Sequence, residues 1–201
     1  MFKLNPAKSA LLIINMSNDL LGWEGVEALV PGLARLIKAA RARGMTVVYS
    51  SLAFCANGTD SGQLGRFWEM IGNGKILTKD TPGVEICSEL APAPGDIVLQ
   101  RNRYSAFYNT ELDNLLRSRG IDTVVIGGYS TNFCCDSTAR DANFRDYNVV
   151  FLSDGTAPIA LQDDSGANIS GEEVQKTELA NLRQGIARVA SVAEAEAALR
   201  E

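Results

Sequence analysis

The sequence contains no histidine. Without an imidazole there is no histidine-based general acid or base, no Ser-His-Asp or Cys-His pair, and none of the ligand sets that hold most zinc and haem. An excess of basic residues is also missing. Lys and Arg number 19 against 24 Asp and Glu, a formal charge of −5. That balance disfavours a nucleic-acid or anionic-membrane surface and suits a small neutral or cationic partner. No apolar run approaches the ~18–20 residues of a membrane span, and no signal-like stretch follows the N-terminal Met1-Phe2-Lys3-Leu4. A cytoplasmic protein is expected. The four cysteines, at 55, 87, 134 and 135, never make a C-x-x-C, and a vicinal pair is poorly shaped for an ordinary disulfide. Free thiols are expected. No G-x-G-x-x-G follows a strand and no cluster has metal-ligand spacing, so neither cofactor nor metal is expected.

What is present is an ordinary globular composition, 46% hydrophobic and 21% charged over 201 residues, which we read as a single domain, 1–201. Short β-branched runs at 10–14, 45–50, 96–99, 123–126, 148–152 and 187–190 read as buried strands. Between them, 26–43, 110–119, 132–145 and 172–184 carry apolar residues at helical spacing, with Gly44, Gly120 and Gly185 placed to end helices. The alternation predicts a doubly wound, Rossmann-like α/β fold, a parallel sheet of about six strands flanked by helices. Segments 53–81 and 153–171 leave this scaffold. They are candidates for active-site walls or subunit contacts, with disorder of 163–171 as the alternative.

Chemistry concentrates around the turn Gly127-Gly128-Tyr129-Ser130-Thr131-Asn132-Phe133-Cys134. A strand ends in two glycines and a helix opens near Thr131 or Asn132, either of which can cap it. Cys134 then falls in the first helical turn, where free N–H groups and the helix dipole stabilise an anion. Two fates stand side by side for it, a nucleophile or a small buried hydrophobe. Cys135, about 100° further round, is assigned to the core. Arg101 and Arg103 lie just past another strand, and Asn15, Ser17 and Asp19 follow the first. In a parallel sheet these ends share one edge.

These segments together resemble the isochorismatase-like cysteine hydrolases, the superfamily of nicotinamidases, N-carbamoylsarcosine amidohydrolases and ureidoacrylate hydrolases. The match extends over nearly the whole chain, through residues 10–19, 82–90, 103–107, 110–112, 127–134 and 137–142. The resemblance implies a doubly wound domain that assembles into a homo-oligomer, dimer or tetramer, and hydrolyses a small-molecule substrate. It places the nucleophile on Cys134, the oxyanion hole on the backbone N–H groups of Ser130 and Cys134, and a cis bond at Tyr129-Ser130. Two positions depart from the family pattern. Its Asp is Asn15 here and its Lys is Arg101.

Arg101 keeps a positive charge, able to steady a thiolate or grip a carboxylate, but it does not exchange protons. Asn15 neither accepts the thiol proton nor delivers it to a leaving amine. Losing such a group costs ~10²–10⁴-fold, least for an activated ester or thioester. The resemblance therefore implies a cysteine hydrolase cleaving a C–N amide or ureide bond, or a related acyl bond, through a Cys134 thioester. The alternative is an impaired or inactive relative that binds a small acid or amide, natural or an engineered Asp-to-Asn variant. Asp19, Asp136 and Glu69 are weighed as substitutes for the lost carboxylate, against a structural hydrogen bond for Asp19, a solvent-facing or capping role for Asp136 and a loop position for Glu69. Phe54, Phe67, Trp68, Tyr104 and Phe107 are candidates to line an apolar pocket, each with core packing as its competing fate, and Phe67 and Trp68 are the first choice for lining because they lie in a loop. The metal-binding histidines of nicotinamidases are absent, which sets nicotinamidase aside.

Overall fold

The computed structural model describes residues 2–199. Its strands are β1 (Ser9–Ile14), β2 (Thr46–Leu52), β3 (Ile97–Arg101), β4 (Thr123–Tyr129), β5 (Asn148–Ala157), β6 (Leu161–Gln162), β7 (Asn168–Ile169) and β8 (Arg188–Ala190). Six of them form one sheet in the order β3-β2-β1-β4-β5-β8, every neighbouring pair parallel, while β6 and β7 make a small antiparallel hairpin. All six residues of β1 are buried. Successive side chains along a strand face opposite sides, so helices must cover both faces of the sheet here.

The helices are α1 (Val26–Ala42), α2 (Gly62–Phe67), α3 (Glu69–Gly72), α4 (Leu112–Ser118), α5 (Asp136–Asn143), α6 (Gly171–Arg183) and α7 (Val192–Ala198). In α1 the buried side chains are Val26, Leu29, Leu33, Leu36, Ile37 and Ala40, the three- and four-residue spacing of a single apolar stripe. That stripe packs on β2, β4 and β5 and against α7. Among the described residues no helix is long and apolar enough to cross a membrane.

The expected elements match with instructive exceptions. Gly44 and Gly120 take left-handed φ values of 68° and 67° after α1 and α4, as helix-ending glycines do. Gly185 does not, because α6 stops on Gln184 in a right-handed conformation. β5 continues past 152 to Ala157 because its register against β4 shifts between Ile126 and Gly128. Segment 163–171, for which disorder was the alternative, holds β7 and the first residue of α6. The helix α7 was not anticipated.

The strand order positions the site. From β1 the chain steps outward through β2 to β3, then returns across β1 to β4 and proceeds the other way. Connections leave the β1 and β4 ends in opposite directions, which opens a crevice at their carboxyl ends. Asn15 follows β1, and the turn leading to Cys134 follows β4.

Candidate active site

Ile14 pairs with Ser50 on one side and Gly128 on the other, so Asn15 emerges in the middle of the sheet edge. It is buried, with φ 51°, a left-handed conformation that asparagine tolerates better than most residues. Its N–H donates to the Ser50 carbonyl at 3.0 Å. Its Oδ1 accepts two hydrogen bonds, from the Leu52 N–H at 3.0 Å and from Arg101 Nη2 at 3.1 Å. The amide orientation is thereby set, and the Nδ2 group is the part of the side chain left to the cavity that Asn15 lines.

Arg101 ends β3, in register with Leu52, and is only 5% exposed. Besides Asn15 it donates to the Arg103 carbonyl at 3.0 Å, and its buried Nε has no partner. Among the described residues it forms no ion pair with a carboxylate. It is absent from the cavity wall. Of the two roles open to it, steadying a thiolate or gripping a carboxylate, its position behind Asn15, to whose Oδ1 it donates, suits the first better. Arg103 turns the other way, donating to the Asp60 carbonyl at 3.0 Å and pinning the 53–62 segment.

The second half of the site follows β4. A Cβ on Gly128, whose φ is 120°, would sit 2.0 Å from the Ile14 carbonyl oxygen, so only glycine lets β1 and the turn approach this closely. The Tyr129-Ser130 peptide is cis, as the family resemblance implied. Residues Thr131–Cys135 then form a π-helical turn. The Ser130 carbonyl, which an α-helix would offer to the Cys134 N–H, instead accepts from the N–H of Cys135 at 2.9 Å and of Phe133 at 3.4 Å. The wide turn thus passes over the Cys134 N–H.

Neither proposed cap acts as one. Thr131 is buried with its hydroxyl unpartnered. Asn132 is tied to the Ile159 backbone, donating to its carbonyl at 3.1 Å and accepting from its N–H at 2.9 Å. Thr138 fixes the turn from below, donating to the Cys134 carbonyl at 2.7 Å and accepting from the Ala106 N–H at 3.0 Å.

Cys134 and Ser130 line a cavity of about 270 Å³ together with Asn15. Cys135 does not. It is fully buried, and burial holds its thiol well above the usual range, so it belongs to the core as expected. Trp68, Tyr104 and Tyr129 are in the wall, while Phe67, 84% exposed, stands at its rim. Trp68 Nε1 donates to Tyr104 Oη at 2.9 Å. Phe133 packs edge-on to Trp68, with centroids 5.8 Å apart, and lies 5.3 Å from Tyr104. Trp23 lies 6.4 Å from Trp68 and 6.1 Å from Tyr129. Burial pushes the Tyr104 and Tyr129 phenols up, so both remain neutral hydroxyls.

Trp23 and Phe133 were not foreseen as lining residues. Phe54, named as a lining candidate, is instead wholly buried and away from the cavity, as is Phe107, whose ring rests 5.7 Å from Tyr147.

Of the acids weighed, Asp19 has a structural role: its Oδ2 accepts from the Leu77 N–H at 2.6 Å. Asp136 neither caps the helix nor faces solvent. It pairs with Arg140 at 2.8 Å, and Arg140 reaches Glu178 of α6 at 3.4 Å. Only Glu69, exposed on α3, lines the cavity. Among the described residues there is no cluster of acids, cysteines or histidines able to hold a metal.

Burial, then the hydrogen bond and charge of Asp136, push the Glu178 carboxyl from 4.5 up to about 7, with Arg140 opposing. The folded chain therefore keeps a proton that the unfolded chain has released. The stability this contributes is complete below the ordinary glutamate value and is lost as the pH rises toward about 7. Thermal unfolding is expected to show a fall in Tm between about pH 5 and about pH 7.5 that Glu178→Gln removes.

A doubly wound sheet with a cysteine at the head of a helix and a buried polar side chain at the switch point, both lining one cavity, is the arrangement that the resemblance to α/β cysteine hydrolases implied. Comparison with known proteins agrees. The Isochorismatase domain family matches residues 9–194. Ureidoacrylate amidohydrolase RutB of Methylorubrum extorquens is 35% identical over 187 residues, 80% of this chain and 75% of that protein. The RutB of Variovorax paradoxus is 32% identical, covering 94% of this chain and 80% of that protein. Among solved structures, a cysteine hydrolase from Pseudomonas syringae pv. phaseolicola superposes with a TM-score of 0.94 at 29% identity, over 100% of this chain and 96% of that one. N-carbamoylsarcosine amidase from Thermoplasma acidophilum gives 0.74 at 29% identity, over 92% and 96%. The chain belongs to the isochorismatase family and is an isochorismatase-like cysteine hydrolase.

Proposed function

We propose that the protein hydrolyses an acyl bond of a small molecule through a thioester on Cys134. The observation that carries this reading is the placement of Cys134 in the cavity wall on a π-helical turn whose hydrogen bonding passes over its own N–H, opposite an asparagine backed by a cation with no carboxylate. The Cys134 Sγ attacks the acyl carbonyl, the carbon–sulfur bond forms, and the N–H groups of Ser130 and Cys134 receive the developing oxyanion. The bond to the leaving group then breaks, and the group departs as an anion that takes its proton from solvent. In the second half, water attacks the thioester, its proton passes to solvent, and Cys134 leaves as a thiolate.

Asn15 and Arg101 work as a unit in this scheme. The Arg101 charge polarises the Asn15 amide through Oδ1, which strengthens Nδ2–H as a donor into the cavity that Cys134 also lines. Neither residue moves a proton. The site therefore favours leaving groups that depart without one, the thiol of a thioester or the alcohol of an activated ester, over the amine of an amide or ureide. The small-molecule partner, the single domain over 1–201, the homo-oligomeric assembly and the cytoplasmic setting belong to this proposal.

Asn15 also supports a second reading, a relative that binds its ligand without turning it over, because a cysteine hydrolase lacking a proton carrier stalls at the leaving group. Turnover of a p-nitrophenyl ester or an aryl thioester, and its loss in Cys134→Ala, separates the two.

A further inference from the structure

The two ureidoacrylate amidohydrolases act, by their name, on ureidoacrylate; the charges around this cavity point elsewhere. Resting on the reading of Cys134 as the nucleophile, we infer that the site takes an uncharged, ring-bearing acyl compound, an arylacyl ester or thioester, and discriminates against substrates carrying a carboxylate. The first observation is the wall itself. Trp23, Trp68, Tyr104, Tyr129 and Phe133 stand in it among aliphatic side chains, and no lysine or arginine is among the lining residues. An apolar cavity of about 150 Å³ accepts a benzene ring, so about 270 Å³ holds one ring and a short acyl arm.

The second observation is a charge count. Arg101, the buried cation behind Asn15, is not in the wall, and Asn15 Oδ1 already accepts from it. A substrate carboxylate would meet no cation in this apolar wall, and burying an unpaired carboxylate is expensive. The third observation is Glu69, the acid in the lining, which repels an incoming carboxylate and accepts a neutral or cationic end.

The test does not require turnover. Cys134 Sγ displaces iodide from iodoacetamide, N-benzyliodoacetamide or iodoacetate, forming a carbon–sulfur bond as iodide leaves. The rate at Cys134, mapped by peptide mass spectrometry with Cys134→Ala as the blank, is divided by the rate of each reagent with free cysteine. The normalised rate is expected to be highest for N-benzyliodoacetamide, at least about ten-fold above iodoacetate. Glu69→Lys is expected to narrow that ratio. Equal rates, or preference for iodoacetate, overturn the inference.

The same comparison is then made for turnover, with a phenylacetyl thioester against a succinyl thioester. Preferential turnover of the succinyl compound through an acyl-Cys134 overturns the substrate class while leaving the nucleophile in place. If neither thioester acylates Cys134, the proposed function falls and the substrate class with it.

Discussion

Cys134→Ala is expected to reduce turnover of an activated ester by roughly 10⁴–10⁶-fold, the scale on which removal of a nucleophile acts when the oxyanion donors and binding cavity remain. The fold should tolerate the change. Cys134 is a small, buried side chain at the cavity surface, and trimming its sulfur enlarges a space that already exists, a cost of about 1 kcal/mol. Cys135→Ala makes the informative contrast. Its thiol is fully buried away from the cavity, so the substitution should lower Tm and leave turnover close to that of the parent. Comparable losses of turnover in both variants would show that the turn, and not the Cys134 sulfur, is what matters.

The second large effect is a gain. Asn15→Asp is isosteric, and both bonds to Oδ1, from the Leu52 N–H and from Arg101 Nη2, survive it. Aspartate also tolerates the left-handed φ of 51°. What changes is the atom left toward the cavity: a carboxylate oxygen able to take and return a proton replaces an N–H donor. Amide and ureide turnover should rise by ~10²–10⁴-fold, the usual worth of a general acid–base group, with a much smaller change for activated esters. If neither Asn15→Asp nor its combination with Arg101→Lys produces amide turnover, the non-hydrolytic reading of the site gains its strongest support.

The sheet was legible because buried parallel strands announce themselves as short β-branched runs, and four of the six expected spans lie within a residue or two of β1, β2, β3 and β8, while β4 and β5 start where expected and run on to Tyr129 and Ala157. The turn after β4 was legible from its two glycines. The π-helical turn was not. Its residues carry the apolar spacing of an ordinary helix, and the extra residue shows only in which N–H reaches the Ser130 carbonyl. The helix α7 carried a readable signal that was passed over, the Ser191 and Glu194 capping box. The same motif at Ser170 and Glu173 opens α6.

Asn15 and Arg101 were identified by position, but their direct hydrogen bond joins residues 86 apart in the chain and depends on the pairing of β2 with both neighbours. The aromatic wall depended still more on tertiary structure. Trp23, Trp68, Tyr104 and Phe133 come from four separate connections, and apart from the loop position of Phe67 and Trp68 no local pattern distinguishes them from Phe54 or Phe107, which the fold sends into the core.

The account rests on a covalent acyl-Cys134, and intact-protein mass spectrometry after rapid acid quench with a phenylacetyl thioester tests it most directly. The expected result is one added phenylacetyl group, located by peptide mapping on the segment containing Cys134 and absent in Cys134→Ala. Turnover with no adduct under any quench time, or an adduct that maps to Cys55 and persists in Cys134→Ala, would contradict it.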